Sequence, residues 1–504
     1  MGMKRGNFRK ITTVLLTATL TLGLLAGCNG SKGADKEQEK VLRIGVLSGG
    51  YDDSYFRQQY TDVYEFTHQN IRIEIVPAID QSQYRYSDGS EGDQQPDNLE
   101  SMKKIMTGGN PVDIVVTDTS VLNQLIQENM LKQLDPMMQE DKFDTSDFVP
   151  AVIDGIKDLG DGKLYGLTPS FSSSALFYNK KIFSDAGVEP PTDKMTWDDI
   201  FNLARRVSKG EGKDRIYGFS FNRYQGNDPF YAMQYNYVNA LQLKTYDNKA
   251  ETMTVNSPQW IEVWKTMANL VKDKIIPDSS AGMSDDAMDQ WTPISGDLFL
   301  SGKVAMTIDE SYYINEIADA NNNAAKIKNY KPVDWDVVTV PVHPEKPDVG
   351  GNIWLTNTFA INNAAPNPET AWDFIKFINS EDWAKLKSRG NSYEMVARKS
   401  YIEPVQGLDY NIQAFYLLKP TPPTDPKDEK LLIEKPGLYN VTSVGRNYYQ
   451  EVLENKKTPE EALKEWEEKG NKMLLEIKNN PKTQFQEDGT PYVPDESGTS
   501  GVKY

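Results

Sequence analysis

Short apolar runs alternate along the chain with segments in which apolar residues recur every three or four positions. The runs fall at residues 41–47, 71–76, 113–117, 304–308, 336–340 and 354–361. Their β-branched content predicts buried strands, and the segments between them have the period of helices that bury one face. Because strands alternate with helices, the pattern predicts an α/β fold.

Three of the helical segments carry further signals. Thr196 precedes Asp199 by three positions, and Thr458 precedes Glu461 by three, which is the spacing of a capping box at a helix start. A stripe of large apolar residues marks a third helix: Trp260, Trp264, Met267 and Val271. Such stripes are more typical of a core than of a ligand site, so we expect these helices to pack inside the protein.

The first forty residues have a different pattern from the rest. Four basic residues precede an apolar run at 11–27, and Cys28, the only cysteine of the chain, follows it. The run is too short for a stable membrane-spanning helix and has the flanks of a signal peptide. We therefore predict a signal peptide over residues 1–27 and export of the rest.

Leu25-Ala26-Gly27-Cys28 resembles the lipobox of bacterial lipoproteins. The resemblance implies cleavage before Cys28, lipidation of its sulfur, and an anchor of several acyl chains, which holds more firmly than one chain. Residues 28–40 then form a lipidated, flexible tether. The alternative is an ordinary signal peptide that a cysteine happens to follow.

The net charge and the length of the chain exclude some classes of function and indicate the number of domains. The 504 residues carry a net charge of −18, and loss of the four basic residues of the signal peptide gives −18 − 4 = −22. Such a chain repels nucleic acid and anionic lipid surfaces, so we expect no nucleic-acid partner. The roughly 460 residues after the tether exceed what one hydrophobic core supports, which predicts at least two domains.

The sequence predicts neither a metal nor a cofactor. The acidic stretch at 87–100 does not fit an EF-hand, because Asp88 and Glu100 are twelve positions apart where the frame needs eleven. In addition, Gly92 stands at a ligand position. We expect a solvated loop there.

Five blocks stand out in order along the chain: 109–116, 175–199, 299–306, 350–378 and 458–463. The second begins Ala-Leu-Phe-Tyr-Asn-Lys at Ala175, and the fourth places Gly350-Gly351 before Trp354. In this order the blocks resemble motifs of the extracellular solute-binding proteins of ABC importers, the family that includes the maltose-binding protein. The resemblance extends over residues 41–478.

The resemblance implies a two-lobed, periplasmic-binding-protein-like fold of type II. The ligand would bind in a cleft between the lobes, which are joined by hinge crossovers and close by bending. Carried over by motif, the crossovers fall near 168–174, 338–342 and 397–403. Lobe one would then be 41–170 with 341–398, lobe two 171–340 with 399–480, and 481–504 a tail.

A sugar presents apolar C–H faces and a rim of hydroxyls, so its site needs flat rings and planar hydrogen-bonding groups. By resemblance, Tyr312 stands where sugar-binding relatives carry a stacking tryptophan, and Asp228 and Phe230 stand at an acid and an aromatic that contact sugar. Tyr51 and Asp118 follow strand ends, where open α/β sheets bind ligands. Ser172 lies at the first crossover, and Trp354 follows the glycine pair. The ligand-contact candidates are Trp354, Tyr312, Asp118, Asp228, Tyr51, Phe230 and Ser172, and the alternative for each is a structural role.

We therefore predict a monomeric, lipid-anchored extracellular protein that captures a carbohydrate, in particular an oligosaccharide, and delivers it to an ABC permease. One alternative is a glycan-active surface enzyme. A glycosidase needs two spaced carboxylates, which the sequence does not exclude, but His68 and His343 are the only histidines and common hydrolase motifs are absent. The other alternative is a ligand sensor for a membrane kinase.

Overall fold

The computed structural model describes residues 39–50, 52–84, 96–224, 226, 228–278, 292, 294–351, 353–355, 357–390, 393–405, 407–421 and 426–492. The predicted signal peptide, Cys28 and the tether up to residue 38 lie outside the described residues. Tyr51, most of the acidic stretch at 87–100 and residues 493–504 also lie outside them.

The strands of the described part belong to three sheets. They are β1 (Lys40–Gly49), β2 (Ile71–Asp80), β3 (Ile114–Thr117), β4 (Gly166–Leu167), β5 (Ser170–Asn179), β6 (Met306–Glu310), β7 (Trp335–Val338), β8 (Val349–Gly351), β9 (Ile353–Trp354), β10 (Thr358–Ile361), β11 (Met395–Val396) and β12 (Lys419–Pro420).

The helices lie between and after these strands. They are α1 (Ser54–Phe56), α2 (Asp62–Thr67), α3 (Asn98–Thr107), α4 (Thr119–Gln127), α5 (Asp135–Glu140), α6 (Pro150–Leu159), α7 (Lys180–Ala186), α8 (Trp197–Val207), α9 (Pro229–Ala232), α10 (Asn239–Leu241), α11 (Pro258–Lys272), α12 (Tyr313–Asn322), α13 (Pro368–Ile378), α14 (Glu381–Lys387), α15 (Pro426–Glu434), α16 (Leu438–Ser443), α17 (Gly445–Leu453) and α18 (Pro459–Asn479). None of these helices is both long and apolar enough to cross a bilayer.

The first sheet has the strand order β2-β1-β3-β10-β4. β1 runs parallel to β2 and β3, whereas β10 is antiparallel to β3 and β4. The carboxyl ends of β1 and β3 therefore meet at one edge, the usual place of a ligand crevice in an open α/β sheet.

β5 is the centre of the second sheet and pairs with four other strands. Its first four residues pair with β11 and β9, and its later residues pair with β6 and β7. All of these pairings are antiparallel. One continuous strand thus joins two groups of partners.

The buried side chains form three cores. Phe171 belongs to a core built on the first sheet, whereas Ala175 and Leu176 belong to two cores on opposite faces of the later part of β5. We call the unit around the first core lobe one and the unit around the other two cores lobe two. The chain returns to lobe one between Val342 and Ile353 and leaves it again between Ile402 and Val405.

The three helix predictions are confirmed. α8 and α18 both begin with a capping box, in which Thr196 pairs with Asp199 and Thr458 with Glu461. The third stripe lies on α11 and faces a lobe-two core, with at most 8% of any side chain exposed: Trp260, Trp264, Met267 and Val271.

Two segments differ from the sequence prediction. The apolar run at 354–361 is two strands, because β9 pairs with β5 while β10 pairs with β3 in the other sheet. All four residues of β10 are buried, whereas Trp354 of β9 is 43% exposed, and polar residues such as Asn357 separate the two strands. In the expected tail, Phe485 is only 6% exposed and packs in a lobe-two core.

Candidate functional site

A cavity of about 470 Å³ opens at the carboxyl end of β1. We call it the strand-end pocket. Its polar and aromatic lining includes Ser48, Asp53, Tyr55, Tyr60, Asn357, Tyr393 and Glu394. Tyr393 and Glu394 immediately precede β11, which pairs with the start of β5. The pocket therefore lies in lobe one, next to the strand that crosses to lobe two.

Glu394 is held in place at this crossing. The Ser170 hydroxyl donates a hydrogen bond to the Glu394 carboxylate, and the Tyr60 hydroxyl is hydrogen-bonded to Ser170 and Asn357. Burial raises the pKa of Tyr60 above its ordinary range, and the Glu394 charge raises it further. Tyr60 thus stays neutral at every physiological pH and orients this carboxylate without competing charge.

Large aromatic side chains are exposed around the crossing. The exposed fractions are 68% for Tyr55, 43% for Trp354, 69% for Tyr393 and 50% for Tyr224. The Tyr393 ring also meets Tyr312 of lobe two, with 5.7 Å between centroids and 63° between planes. Rings that stay exposed offer flat apolar surface with hydrogen-bonding edges to a ligand.

Arg223 organises the lobe-two side of the site. This side chain is 2% exposed and lies within 3.6 Å of Asp309, 3.7 Å of Asp297 and 3.0 Å of Glu316. Its Nη2 donates to the Tyr224 hydroxyl over 2.6 Å. Its guanidinium carbon lies 4.0, 4.6 and 5.7 Å from the ring centroids of Tyr313, Tyr224 and Tyr312, respectively. These cation–π contacts fix the tyrosine rings.

Burial perturbs the carboxylates beside Arg223. It raises the pKa of Asp309 to about 7, against the opposing attraction of Arg223. It also raises the pKa of Glu310, again opposed by Arg223. Because Asp309 exchanges its proton near neutral pH, it can donate or accept a hydrogen bond there. No group of three or more His, Cys, Asp or Glu in the described part of the chain has an arrangement that would hold a metal ion.

Three predicted ligand contacts lie on the elements around β5. Ser172 pairs directly with Trp354 of β9, and Tyr312 lies just after β6, whose Glu310 pairs with Ser174. The structure therefore brings these three residues to the crossing between the lobes. Their contact with a ligand stays a prediction.

Asp118 and Asp228 both cap helices. The Asp118 Oδ1 accepts hydrogen bonds from the backbone of Ser120 and Val121 at the start of α4, directly after β3. Asp228 caps α9 in the same way and makes an ion pair with Arg446. Each carboxylate therefore has a structural task, and its role in binding stays a prediction.

The expectation for Phe230 needs correction. The side chain is 0% exposed and packs against the rings of Trp264, Trp466 and Tyr449, with centroids 6.0–6.3 Å away. The sequence alone does not show whether an aromatic residue after a helix cap faces the core or the cleft. In this structure the Phe230 side chain packs in the core. Tyr51 lies outside the described residues.

Sequence reasoning missed Tyr55, Tyr393, Glu394 and Arg223. The signal for Tyr393 and Glu394 is their place just before the predicted third crossover, where relatives of this fold bring chain from one lobe to the other. Tyr55 follows the loop after the first strand. Nothing local marks Arg223, because its partners are spread from Tyr224 to Glu316 along the chain.

The sequence profile of bacterial extracellular solute-binding proteins matches residues 52–385, more than half of the chain. The chain belongs to this family. Among its relatives is the sn-glycerol-3-phosphate-binding periplasmic protein UgpB of Escherichia coli K12, 23% identical over 356 residues, which are 68% of this chain and 74% of UgpB. The predicted family is thereby confirmed.

Two solved structures illustrate the fold of this solute-binding protein. A sugar transporter from Rhizobium etli, in an open conformation, has a TM-score of 0.57 at 19% identity and covers 86% of this chain and 99% of its own. The sugar-binding protein MalE from Xanthomonas citri has a TM-score of 0.53 at 14% identity, covering 87% and 98%. The predicted two-lobed type II fold is confirmed.

Proposed function

We propose that this solute-binding protein captures a carbohydrate, in particular an oligosaccharide, between its lobes and closes around it. The observation that carries the proposal is the set of exposed aromatic rings at the crossing: Tyr55, Trp354, Tyr393 and Tyr224. Soluble proteins seldom leave several large rings in water at one place unless a partner covers them.

The polar groups beside these rings suit a hydroxylated solute. Glu394 and Asn357 of the strand-end pocket would accept and donate hydrogen bonds at the rim of a sugar ring stacked on Tyr393. Each ligand hydroxyl left unpaired in a closed cleft would cost about 1–3 kcal/mol, so these groups select for a matching sugar.

The names of relatives support a sugar more than a phosphorylated solute. Two structural relatives are described as a sugar transporter and a sugar-binding protein, whereas UgpB binds sn-glycerol-3-phosphate. A phosphate needs an available cation. Arg223, the buried cation at the crossing, already has three carboxylate partners among the described residues, so its charge is not available to a phosphate.

We further propose that Cys28 carries the lipid anchor, that the protein works as a monomer on the outer face of the cell membrane, and that it hands its solute to an ABC permease. The lipobox resemblance and the family support this arrangement. For the lobes we keep the boundaries 41–170 with 341–398 and 171–340 with 399–480.

A thermal-shift screen tests the carbohydrate proposal. Purified protein is heated with neutral manno-, malto- and galacto-oligosaccharides of one to six units, their uronate counterparts and glycerol 3-phosphate. A ligand that binds only the native state raises the melting temperature, and we expect a rise with at least one carbohydrate series. A rise with glycerol 3-phosphate alone would refute the proposal, and release of shorter products in the incubated samples would support an enzyme instead.

A further inference from the structure

A second cavity, of about 780 Å³, shares Glu394 with the strand-end pocket. We call it the hinge pocket. Lobe one contributes the end of α14 and the strand β11, while lobe two contributes the start of α12. Residues 401–405 together with Tyr410, Ile412 and Phe415 complete the lining. Glu394 lines both cavities, so the two adjoin at this carboxylate.

The hinge pocket presents polar side chains that have no partner in the described part of the chain. The side chains of Ser311, Asn315, Arg389 and Glu403 make no hydrogen bond or ion pair with the described residues. A hydroxyl, an amide, a guanidinium and a carboxylate together supply both donors and acceptors. Such a mixture suits a neutral, hydroxylated molecule.

The charges of the hinge pocket also favour a neutral occupant. Two cations, Lys387 and Arg389, face two carboxylates, Glu394 and Glu403. The Lys387 amine is already occupied, because it donates to the Gln58 carbonyl over 3.1 Å and lies 3.3 Å from the Gln59 side chain. Apolar walls from Ile314, Met395 and Phe415 complete the lining, as in typical small-molecule sites.

We propose that the hinge pocket is an extension subsite, which holds a further neutral sugar unit of the same oligosaccharide that occupies the strand-end pocket. The chain of sugars passes Glu394, whose carboxylate touches both compartments. The inference rests on the proposed carbohydrate function. It adds two points: the ligand extends into the hinge pocket, and the sugar unit held there is uncharged.

A length preference follows from this geometry. A short sugar fills the strand-end pocket only, whereas a longer one also satisfies the free side chains of the hinge pocket. A few additional hydrogen bonds correspond to a gain of about tenfold in affinity or more. Affinity therefore rises with chain length until the hinge pocket is filled.

Isothermal titration of two matched variants tests this inference. Asn315→Trp fills the hinge pocket from the first turn of α12, and Asn322→Trp places the same side chain at an exposed position at the end of that helix. A third variant, Asn315→Ala, removes the free amide without adding bulk. The probes are the neutral manno-, malto- and galacto-oligosaccharides of one to six units and the uronate series, and melting temperatures verify that each variant folds.

We expect Asn315→Trp to weaken the longest bound oligosaccharide about tenfold and to leave the shortest bound member unchanged. Asn315→Ala should show a smaller loss of the same kind, and Asn322→Trp none. Equal loss at all lengths, loss at none, or binding of the uronate series alone would overturn the extension subsite while leaving carbohydrate binding intact. If no carbohydrate binds the wild-type protein, the proposed function falls, and this inference falls with it.

Discussion

At the level of single residues, Tyr393 connects the two sides of the crossing. Its ring is mostly in water, yet one edge meets Tyr312 of the opposite lobe. We expect a ring in this position to stack on a sugar held in the strand-end pocket while it stays in contact with lobe two. It is therefore the aromatic residue whose loss should affect binding most directly.

We expect Tyr393→Ala to weaken binding of the best carbohydrate of the panel about tenfold. Loss of one aromatic contact, worth about 0.5–1.5 kcal/mol, together with the apolar area it covers, accounts for this size. Tyr492→Ala removes another exposed tyrosine, 57% exposed against 69% for Tyr393, near the end of the described chain and serves as the control. Titration calorimetry measures both, and equal affinities of the two variants would contradict the role of Tyr393.

Asp309 provides a prediction on pH. Its pKa in the folded protein is about 7 against an ordinary value of 3.8, so the folded state holds the proton more tightly than the unfolded state. The stability from this group is fully present below about pH 4 and is lost as the pH rises through 7, with a total of about 4 kcal/mol. Asp309→Asn should therefore reduce the fall in melting temperature between pH 5 and pH 8.

Asp319→Asn, on an exposed part of α12, is the control for this experiment. It should keep the wild-type pH dependence. If Asp309→Asn and wild type lose the same stability between pH 5 and pH 8, Asp309 is ionised throughout that range and the assignment is wrong.

The limits of sequence reasoning are visible in single residues. Motif matches predict Tyr312 and Trp354 as ligand contacts, and the structure puts Trp354 opposite Ser172 of β5 and Tyr312 just after β6, which pairs with β5. Phe230 came from the same kind of match and is in the core, because a motif gives the position of a residue along the chain and not the side of the backbone to which its ring points. Arg223 escaped notice, since its role depends on partners brought together only by folding.

At the level of elements, β5 is the strand that connects the two lobes. Ten residues pair first with strands of lobe one and then with strands of lobe two. A hydrogen-bonded strand is stiff along its length, so we expect any bending of β5 to occur where its partners change, around Ser173 and Ser174. Such short strand crossings let two lobes rotate as rigid bodies.

The capping box of α18 offers a stability test. Thr458→Ala removes the hydroxyl that accepts from the Glu461 amide at the start of this helix, whose Trp466 is fully buried in lobe two. We expect a loss of about 1 kcal/mol in the free energy of unfolding. Thr458→Ser keeps the cap and should restore most of it, as denaturant titration will show. Equal losses in the two variants would assign the effect to packing and not to capping.

Periodicity predicted α8, α11 and α18 well because each has a strong cap or a full apolar stripe. It failed at 354–361, where one apolar run holds two strands of different sheets. The divergence is caused by long-range pairing, with β5 for one strand and β3 for the other. Pairing partners leave no mark on the local pattern.

For the whole molecule, the order of five motifs was sufficient to predict a two-lobed type II fold, because the order of lobes and crossings is a property of the family. The predicted location of the protein on the cell surface depends on the first forty residues.

We expect Cys28→Ser to release the protein from the cell surface into the medium, since one cysteine carries the whole predicted anchor. Fractionation of cells and medium by immunoblotting measures this, and a variant that stays with the membrane would refute the anchor.

Lobe closure is the central claim, and small-angle X-ray scattering tests it most directly. The protein is measured alone and with the carbohydrate that raises its melting temperature most. If two rigid lobes rotate about the β5 crossing, the radius of gyration falls when the carbohydrate is bound and returns when it is dialysed away. An unchanged radius in a sample that calorimetry shows to be saturated would contradict the account.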